Sequence, residues 1–340
     1  MKLRLLASQT VCTAFGESFR EPRIPGVLAL EDGTVLLCHE ARAENSGDWG
    51  DIDVRVLRME KGSPVREVLR LGESLTPGDG RMRTWGNPTL IDAGGGRVLL
   101  LFNRNYEQGF MCESADGGRS WGAIRDLTYV LRGFSYSWNV CAFGPGHGAR
   151  LSSGRLIAPL WLANGEYYDE GRRRQHRPSV SGCIYTDDGG KSWQTGFEYG
   201  EKKNPSETSL APLPDGRVMF SFRNEEDARK RLTGFSSDGG QTLDESPFFS
   251  ITDPICFGGL CAFRDGALLA NCFSETRREN LALSYTRDGR NWEQLYLFEG
   301  PAGYADVYAL GRRVYVFSEE TDTKNWLIGR LVLSVLEAEE

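Results

Sequence analysis

The chain has 340 residues, 40% of them hydrophobic and 11% aromatic, which is ample for a sizeable packed core. Its 47 acidic and 40 basic residues leave a net charge of −7, so no electrostatic reason exists to expect nucleic acid or an anionic membrane as partner. No stretch approaches the roughly 20 apolar residues of a spanning helix, and eight scattered cysteines, three histidines and no C-x-x-C argue against a zinc centre.

In chain order, Met1–Thr10 is basic but lacks the apolar run of a signal peptide. The cysteines sit mostly inside apolar runs and read as buried free thiols, so the cytoplasm is the expected compartment. The first strong element is Leu30-Glu31-Asp32-Gly33-Thr34-Val35-Leu36, an apolar run, a Gly-bearing turn and a second apolar run. Such turns predict hairpins, because Gly accepts the positive φ a tight turn requires. The pattern returns around Gly96, Gly154, Gly216, Gly266 and Gly311, at intervals of 45 to 63 residues. Six hairpins at that period predict six copies of one small antiparallel sheet, an all-β six-bladed propeller. Without a Pro/Ser-rich linker or a shift in composition, residues 1–340 read as one domain.

An offset repeat, S/T-x-D-x-G-x-x-W, supports the count. It occurs at Ser114–Trp121 and Thr186–Trp193, degraded at Ser236–Leu243 and one residue short at Thr286–Trp292. These turns should close the outer strand pair of each blade, with Ser/Thr and Asp oxygens accepting backbone N–H groups and the Trp packing onto the sheet. Blade one has Arg58–Gly62 at that place and has lost its copy.

A propeller gathers residues from distant parts of a chain around one axis. With strands of five to eight residues, positions about eight from each turn glycine fall at the open ends of the hairpins. Those positions hold Arg23, Asn87, His147, Glu207, Phe257 and Tyr304 before the turns, and Arg42, Asp48, Arg223 and Arg278 after them. Arginines that share one phase in different blades repel one another, so a ligand anion is their natural occupant.

In these residues the chain resembles the sialidase (neuraminidase) family of glycoside hydrolases, six-bladed propellers with Asp-box repeats. The resemblance lies in Arg23-Ile24-Pro25, Glu40-Ala41-Arg42, Asp48-Trp49-Gly50-Asp51-Ile52-Asp53, Trp85-Gly86-Asn87-Pro88, Gly144–Gly148 with Gly154-Arg155-Leu156, and Glu207 through Arg223, in order and across nearly the whole chain. It implies that Arg23, Arg223 and Arg278 bind the carboxylate of a sialic acid. It also implies Asp48 as general acid, Tyr304 as nucleophile and Glu207 as the base that takes the phenolic proton. A neutral phenol avoids the repulsion a carboxylate nucleophile would meet from the substrate's own carboxylate.

Several positions leave alternatives. Tyr308 rivals Tyr304, Arg277 rivals Arg278 and Asp51 rivals Asp48. Arg42 either contacts substrate or forms an ion pair with Glu40 or Asp48, and Asn87, a further substrate-binding position, stands where relatives often carry Asp. Glu319 resembles a family glutamate that supports an arginine. His147 sits in a Gly-rich loop and is given no catalytic role, and Trp49, Tyr136 and Trp138 wall the pocket or belong to the core. The resemblance implies an exo-α-sialidase acting with retention on sialylated glycans or oligosaccharides, without cofactor or metal. The alternatives are action on another 2-keto acid sugar (Kdn or Kdo) and a non-catalytic carbohydrate-binding propeller.

Overall fold

Each of the six Gly-bearing turns joins the two inner strands of an antiparallel sheet, and the six sheets stand around one axis in a computed structural model of the chain. Residues 1–340 are described except 16–18, 45–46, 73–82, 169–172, 227, 323–326 and 340, and the side chains of 322 and 327. Blade one consists of Glu21–Ala29, Val35–Arg42, Ile52–Met59 and Arg66–Leu71. Blade two runs from Trp85 to Asp126, blade three from Val140 to Tyr199, blade four from Thr208 to Thr252 and blade five from Gly259 to Pro301. The only α-helical segment among the described residues is Thr128–Leu131.

The turn geometry explains the repeat. Gly33 at φ +85° donates to Leu30 O at 2.8 Å, and Leu30 N–H returns to Thr34 O at 2.8 Å. The same pair of bonds recurs at Leu151–Arg155 and Leu213–Arg217. Alternate residues of each strand then face opposite neighbours. In blade one, Val27, Ala29, Val35 and Leu37 pack with Phe317, Leu331 and Leu333 of the last blade. Leu28, Leu30, Leu36 and Cys38 pack with Leu90, Val98 and Leu100 of blade two. Both faces of an inner strand are therefore buried, which is why these strands read as continuous apolar runs.

Blade six closes the ring with both ends of the chain. Its order is Ala305–Leu310, Arg313–Asp322, Leu327–Ala338 and, outermost, the N-terminal strand Leu3–Thr13, paired antiparallel from Leu3↔Ala338 to Thr13↔Arg330.

The offset repeats lie between the third and fourth strands of blades two to five. At Ser114–Trp121 the Asp116 carboxylate accepts the N–H groups of Arg119 and Ser120, both at 2.9 Å, and Ser114 Oγ accepts Gly118 N–H at 2.8 Å. Each turn also docks on the preceding blade. Arg58 Nε donates to Gly117 O at 2.8 Å, Arg97 Nη2 to Gly189 O at 2.9 Å and Arg155 Nη1 to Asp238 O at 2.9 Å. A Cβ on Gly118 would stand 2.6 Å from Leu36 Cδ2 of blade one, whereas one on Gly33, at a similar φ, would meet open space. Gly118→Ala should therefore cost about 2–3 kcal/mol and Gly33→Ala about 1 kcal/mol, the difference being overpacking. Urea unfolding midpoints of the two variants test this; equal losses would deny the turn its place in the blade interface.

Candidate active site

Blade four supplies the first pair of functional groups by register alone. Its inner strands pair Thr208 with Phe222, and the next pair outward is Glu207 with Arg223, joined by Arg223 N–H to Glu207 O at 3.0 Å. Both side chains therefore leave the same open end. Tyr304 and Glu319 stand at the equivalent place in blade six, beyond Ala305↔Ser318, with Glu319 N–H donating to Tyr304 O at 2.8 Å. Across the axis the Tyr304 phenol donates to Glu207 Oε1 at 2.5 Å. Arg223 Nη1 donates to both, at 2.6 Å to Tyr304 Oη and 2.5 Å to Glu207 Oε2.

Arg23 and Arg278 flank the phenol, their guanidinium carbons 5.3 and 5.2 Å from its ring centroid. The Glu319 carboxylate, fully buried, accepts Arg23 Nε at 2.7 Å and Ile24 N–H at 3.0 Å on one oxygen and Tyr304 N–H at 2.8 Å on the other. Ile24 lies at φ +59°, a strained position for a β-branched residue, within a bulge between Arg23 and Gly26. Burial pushes the Tyr304 phenol well up; Arg223 opposes this and Glu207 adds to it, so the free site holds a neutral phenol against its base.

Asp48 hangs in the loop after Val35–Arg42, half exposed to the cavity. Its Oδ1 lies 3.1 Å from Arg42 Nη1, and its Oδ2 lies 3.8 Å from His176 Nδ1. Partial enclosure raises the carboxyl, but Arg42, His176 and Arg23 outweigh it and bring it down to about 2. Arg42 itself is buried and bound to Glu40 Oε2 through Nε at 3.0 Å and Nη2 at 2.7 Å. The other Glu40 oxygen accepts Asn87 N–H at 2.9 Å.

One cavity of about 640 Å³ is lined by Arg23, Asp48, Glu207, Arg223, Arg278 and Tyr304, six residues from four blades. Asn87, expected as a substrate contact, does not line it, and neither does Arg42, which forms the ion pairs with Glu40 and Asp48, the second of its two alternatives. Both are buried, Arg42 behind Asp48 and Asn87 behind Glu40. The cause at Asn87 is local: at φ +51° it lies within a register break between Gly86 and Thr89, and such a break re-aims a side chain. Tyr308 and His147, by contrast, line a separate cavity of about 140 Å³ with Asp92 and Arg150. There His147 Nδ1 meets the buried Asp306 carboxylate at 3.0 Å, away from the open end where its number predicts it. Arg277 and Asp51 stay outside the larger cavity, and Trp49 lines it. Tyr136 bonds Pro178 O, and Trp138 bonds Leu131 O within the core.

The far wall of the cavity is absent from the sequence expectation. It comes from residues 164–168 and 173–178, between the second and third strands of blade three, and contributes Tyr168, Arg174, Gln175, His176 and Arg177 beside Trp161. A segment of that length, rich in Tyr and Arg between two apolar strands, was the available signal.

Comparison with known proteins agrees with this architecture. The model of the BNR repeat-like domain matches residues 41–316. The exo-alpha-sialidase of Arthroderma benhamiae is 27% identical over 365 aligned positions, covering 94% of this chain and 80% of that protein. Sialidase-4 of Mus musculus is 37% identical over 266 positions, covering 71% and 54%. Among solved structures, the Hadza microbial sialidase Hz136 superposes with a TM-score of 0.78 at 20% identity, covering 97% of this chain and 68% of that one. With that match running through all six blades and sialidases as its relatives, the chain belongs to the BNR repeat-like family.

Proposed function

We propose that the protein is an exo-α-sialidase that works with retention through a tyrosyl-enzyme intermediate. The observation that carries this reading is the Tyr304–Glu207–Arg223 triangle, with Arg23 and Arg278 on either side of the phenol and Asp48 across the same cavity. Three guanidinium groups suit a carboxylate attached directly to the anomeric carbon, the mark of a 2-keto acid sugar. A binding module would need the arginines but not a phenol bonded to a base.

In this mechanism the substrate carboxylate enters among Arg23, Arg223 and Arg278, and Tyr304 Oη attacks the anomeric carbon as its proton passes to Glu207. Asp48 protonates the departing oxygen. It then activates water to release the sugar from Tyr304, and two displacements at one carbon give net retention. Tyrosine nucleophiles are the known exception in this class to the two-carboxylate pattern. Arg42, itself fixed by Glu40, holds Asp48 from behind.

The ionised state of Asp48 in the free protein is reconciled with this role by the substrate. An incoming carboxylate cancels part of the cationic field that depresses Asp48, so the carboxyl rises on binding. At pH 4–5, above the free value of about 2, an unsaturated sialic acid analogue should therefore bind with proton uptake. Calorimetry in two buffers of different ionisation enthalpy measures it, and Asp48→Asn should abolish it.

The activity is tested with fluorogenic sialosides and their Kdn analogues, following the product by NMR. The expected outcome is release of free sugar first as the α-anomer. A folded protein that cleaves no 2-keto acid glycoside, or one that releases the β-anomer first, overturns the reading.

A further inference from the structure

In blade three, residues 173–178 lie against residues 164–168 through Gln175 N–H to Glu166 O at 2.9 Å and carry His176 into the cavity beside Asp48. The imidazole is walled by Tyr106, Trp161 and Trp49, with ring centroids 4.5, 5.1 and 5.9 Å away. Its Nε2 is buried with no hydrogen-bond partner among the described residues, and its Nδ1 is 3.8 Å from Asp48 Oδ2. Beside these three aromatic walls, the Asp48 carboxylate stands nearest to a ring nitrogen, on the Nδ1 side. Packing alone would be served better by Phe, since an imidazole brings two ring nitrogens that must be desolvated.

We propose that His176 is a positioning residue that holds the second oxygen of Asp48 and supplies it with the proton used at the leaving group. The inference rests on the reading of Asp48 as general acid. Arg42, on Oδ1, favours the carboxylate and works against protonation; the imidazolium on the Oδ2 side restores the supply. As the glycosidic C–O bond breaks, the proton on Nδ1 moves to the Asp48 carboxylate and one proton passes from Asp48 to the departing oxygen. A neutral imidazole and a carboxylate remain. When water attacks in the second half, Asp48 accepts its proton and Nδ1 receives it back, so the cycle balances. A 3.8 Å separation is in keeping with a free site, where such contacts are often long and shorten when substrate is bound.

The charged and titratable groups facing the imidazole are Asp48 and Arg42 of blade one, Tyr106 of blade two, and Glu207 and Arg223 of blade four. Arg174 and Arg177 of its own stretch, 173–178, line the same cavity. Burial draws the imidazole below its ordinary value; Asp48 and Glu207 push it back up, and Arg223 and Arg42 add to the burial. Protonation of His176, and with it turnover, should therefore fail as pH rises through a value below that of a free imidazole.

The test compares His176→Gln with the wild type on two substrates. One is a sialoside with a sugar leaving group, which needs protonation; the other is an aryl sialoside whose leaving group departs without it. The loss of kcat on the sugar-linked substrate should exceed the loss on the aryl substrate by about 10-fold or more. The high-pH limb of kcat/KM on the sugar-linked substrate should also disappear. Turnover of the aryl substrate shows that the variant is folded. In parallel, with only His39, His147 and His176 to assign, NMR titration should show the His176 midpoint falling in Asp48→Asn. Equal losses on both substrates, or an unmoved His176 midpoint, overturn the proposal. If the wild type cleaves neither substrate, the sialidase reading fails, and the titration still decides whether His176 and Asp48 are coupled.

Discussion

Tyr304→Phe should lower kcat by about 10⁴-fold on any sialoside while leaving the affinity for a non-hydrolysable analogue within about threefold. The ring keeps its place: Arg23 and Arg278 still flank it, Phe257 still packs at 5.6 Å between centroids, and Glu207 and Arg223 still pair at 2.5 Å. What disappears, in the proposed mechanism, is the oxygen that bonds to carbon and the proton that Glu207 takes. A 2,3-difluoro derivative of the 2-keto acid sugar, which loses fluoride from the anomeric C2 while the fluorine on C3 slows hydrolysis, should label the wild type and not the variant, as intact-protein mass spectrometry would show. Turnover above a tenth of wild type would remove Tyr304 from the reaction. Tyr308 could not take its place, because it faces the separate small cavity with His147.

Glu319→Ala should be the most damaging single change to the scaffold of the site. One buried carboxylate collects Arg23 Nε, Ile24 N–H and Tyr304 N–H. Its removal leaves a largely buried guanidinium and two buried amide groups without their acceptor. Losing one partner of such a pair costs about 3–5 kcal/mol, and the strained Ile24 conformation loses its anchor as well. The same truncation frees Arg23 and Tyr304 to move, so kcat/KM should fall by about 10²-fold or more even where the protein remains folded. Glu319→Gln keeps the volume and one acceptor oxygen, and should fall between wild type and Ala in both urea midpoint and kcat/KM. Equal behaviour of Gln and wild type would show that shape, not charge and acceptor count, is what Glu319 contributes.

The legible part of the site is the part that register controls. Glu207, Arg223 and Tyr304 each lie one residue outside a regular inner hairpin, so counting from the turn glycine along strands of ordinary length reaches the open end correctly. The same count fails where the strand is irregular. Asn87 follows a register break at left-handed φ and turns inward. His147 belongs to the two-residue stretch Gly146–His147, which pairs parallel with Thr89–Leu90 of blade two and interrupts the inner strand of blade three. Arg42 has the expected phase, but a buried partner two residues before it, Glu40, takes its guanidinium. A one-residue irregularity or a single buried partner leaves no mark on periodicity.

By itself, the amino-acid order determined what local chemistry can determine. That includes six Gly turns between apolar runs, hence six sheets, the four Asp-bearing turns of the outer strands, and arginines gathered with two carboxylates and a phenol at one end. Tertiary structure alone decided three things. The N-terminal strand closes the last blade, because its partner, Leu327–Ala338, lies more than 300 residues away and pairing at that distance has no local signal. The offset turns act as joints between blades, because each meets its neighbour only after the sheets are assembled. And His176 faces Asp48 because a loop of blade three reaches back over blades one and two, a contact set by how sheets pack and not by the order of residues within any one of them.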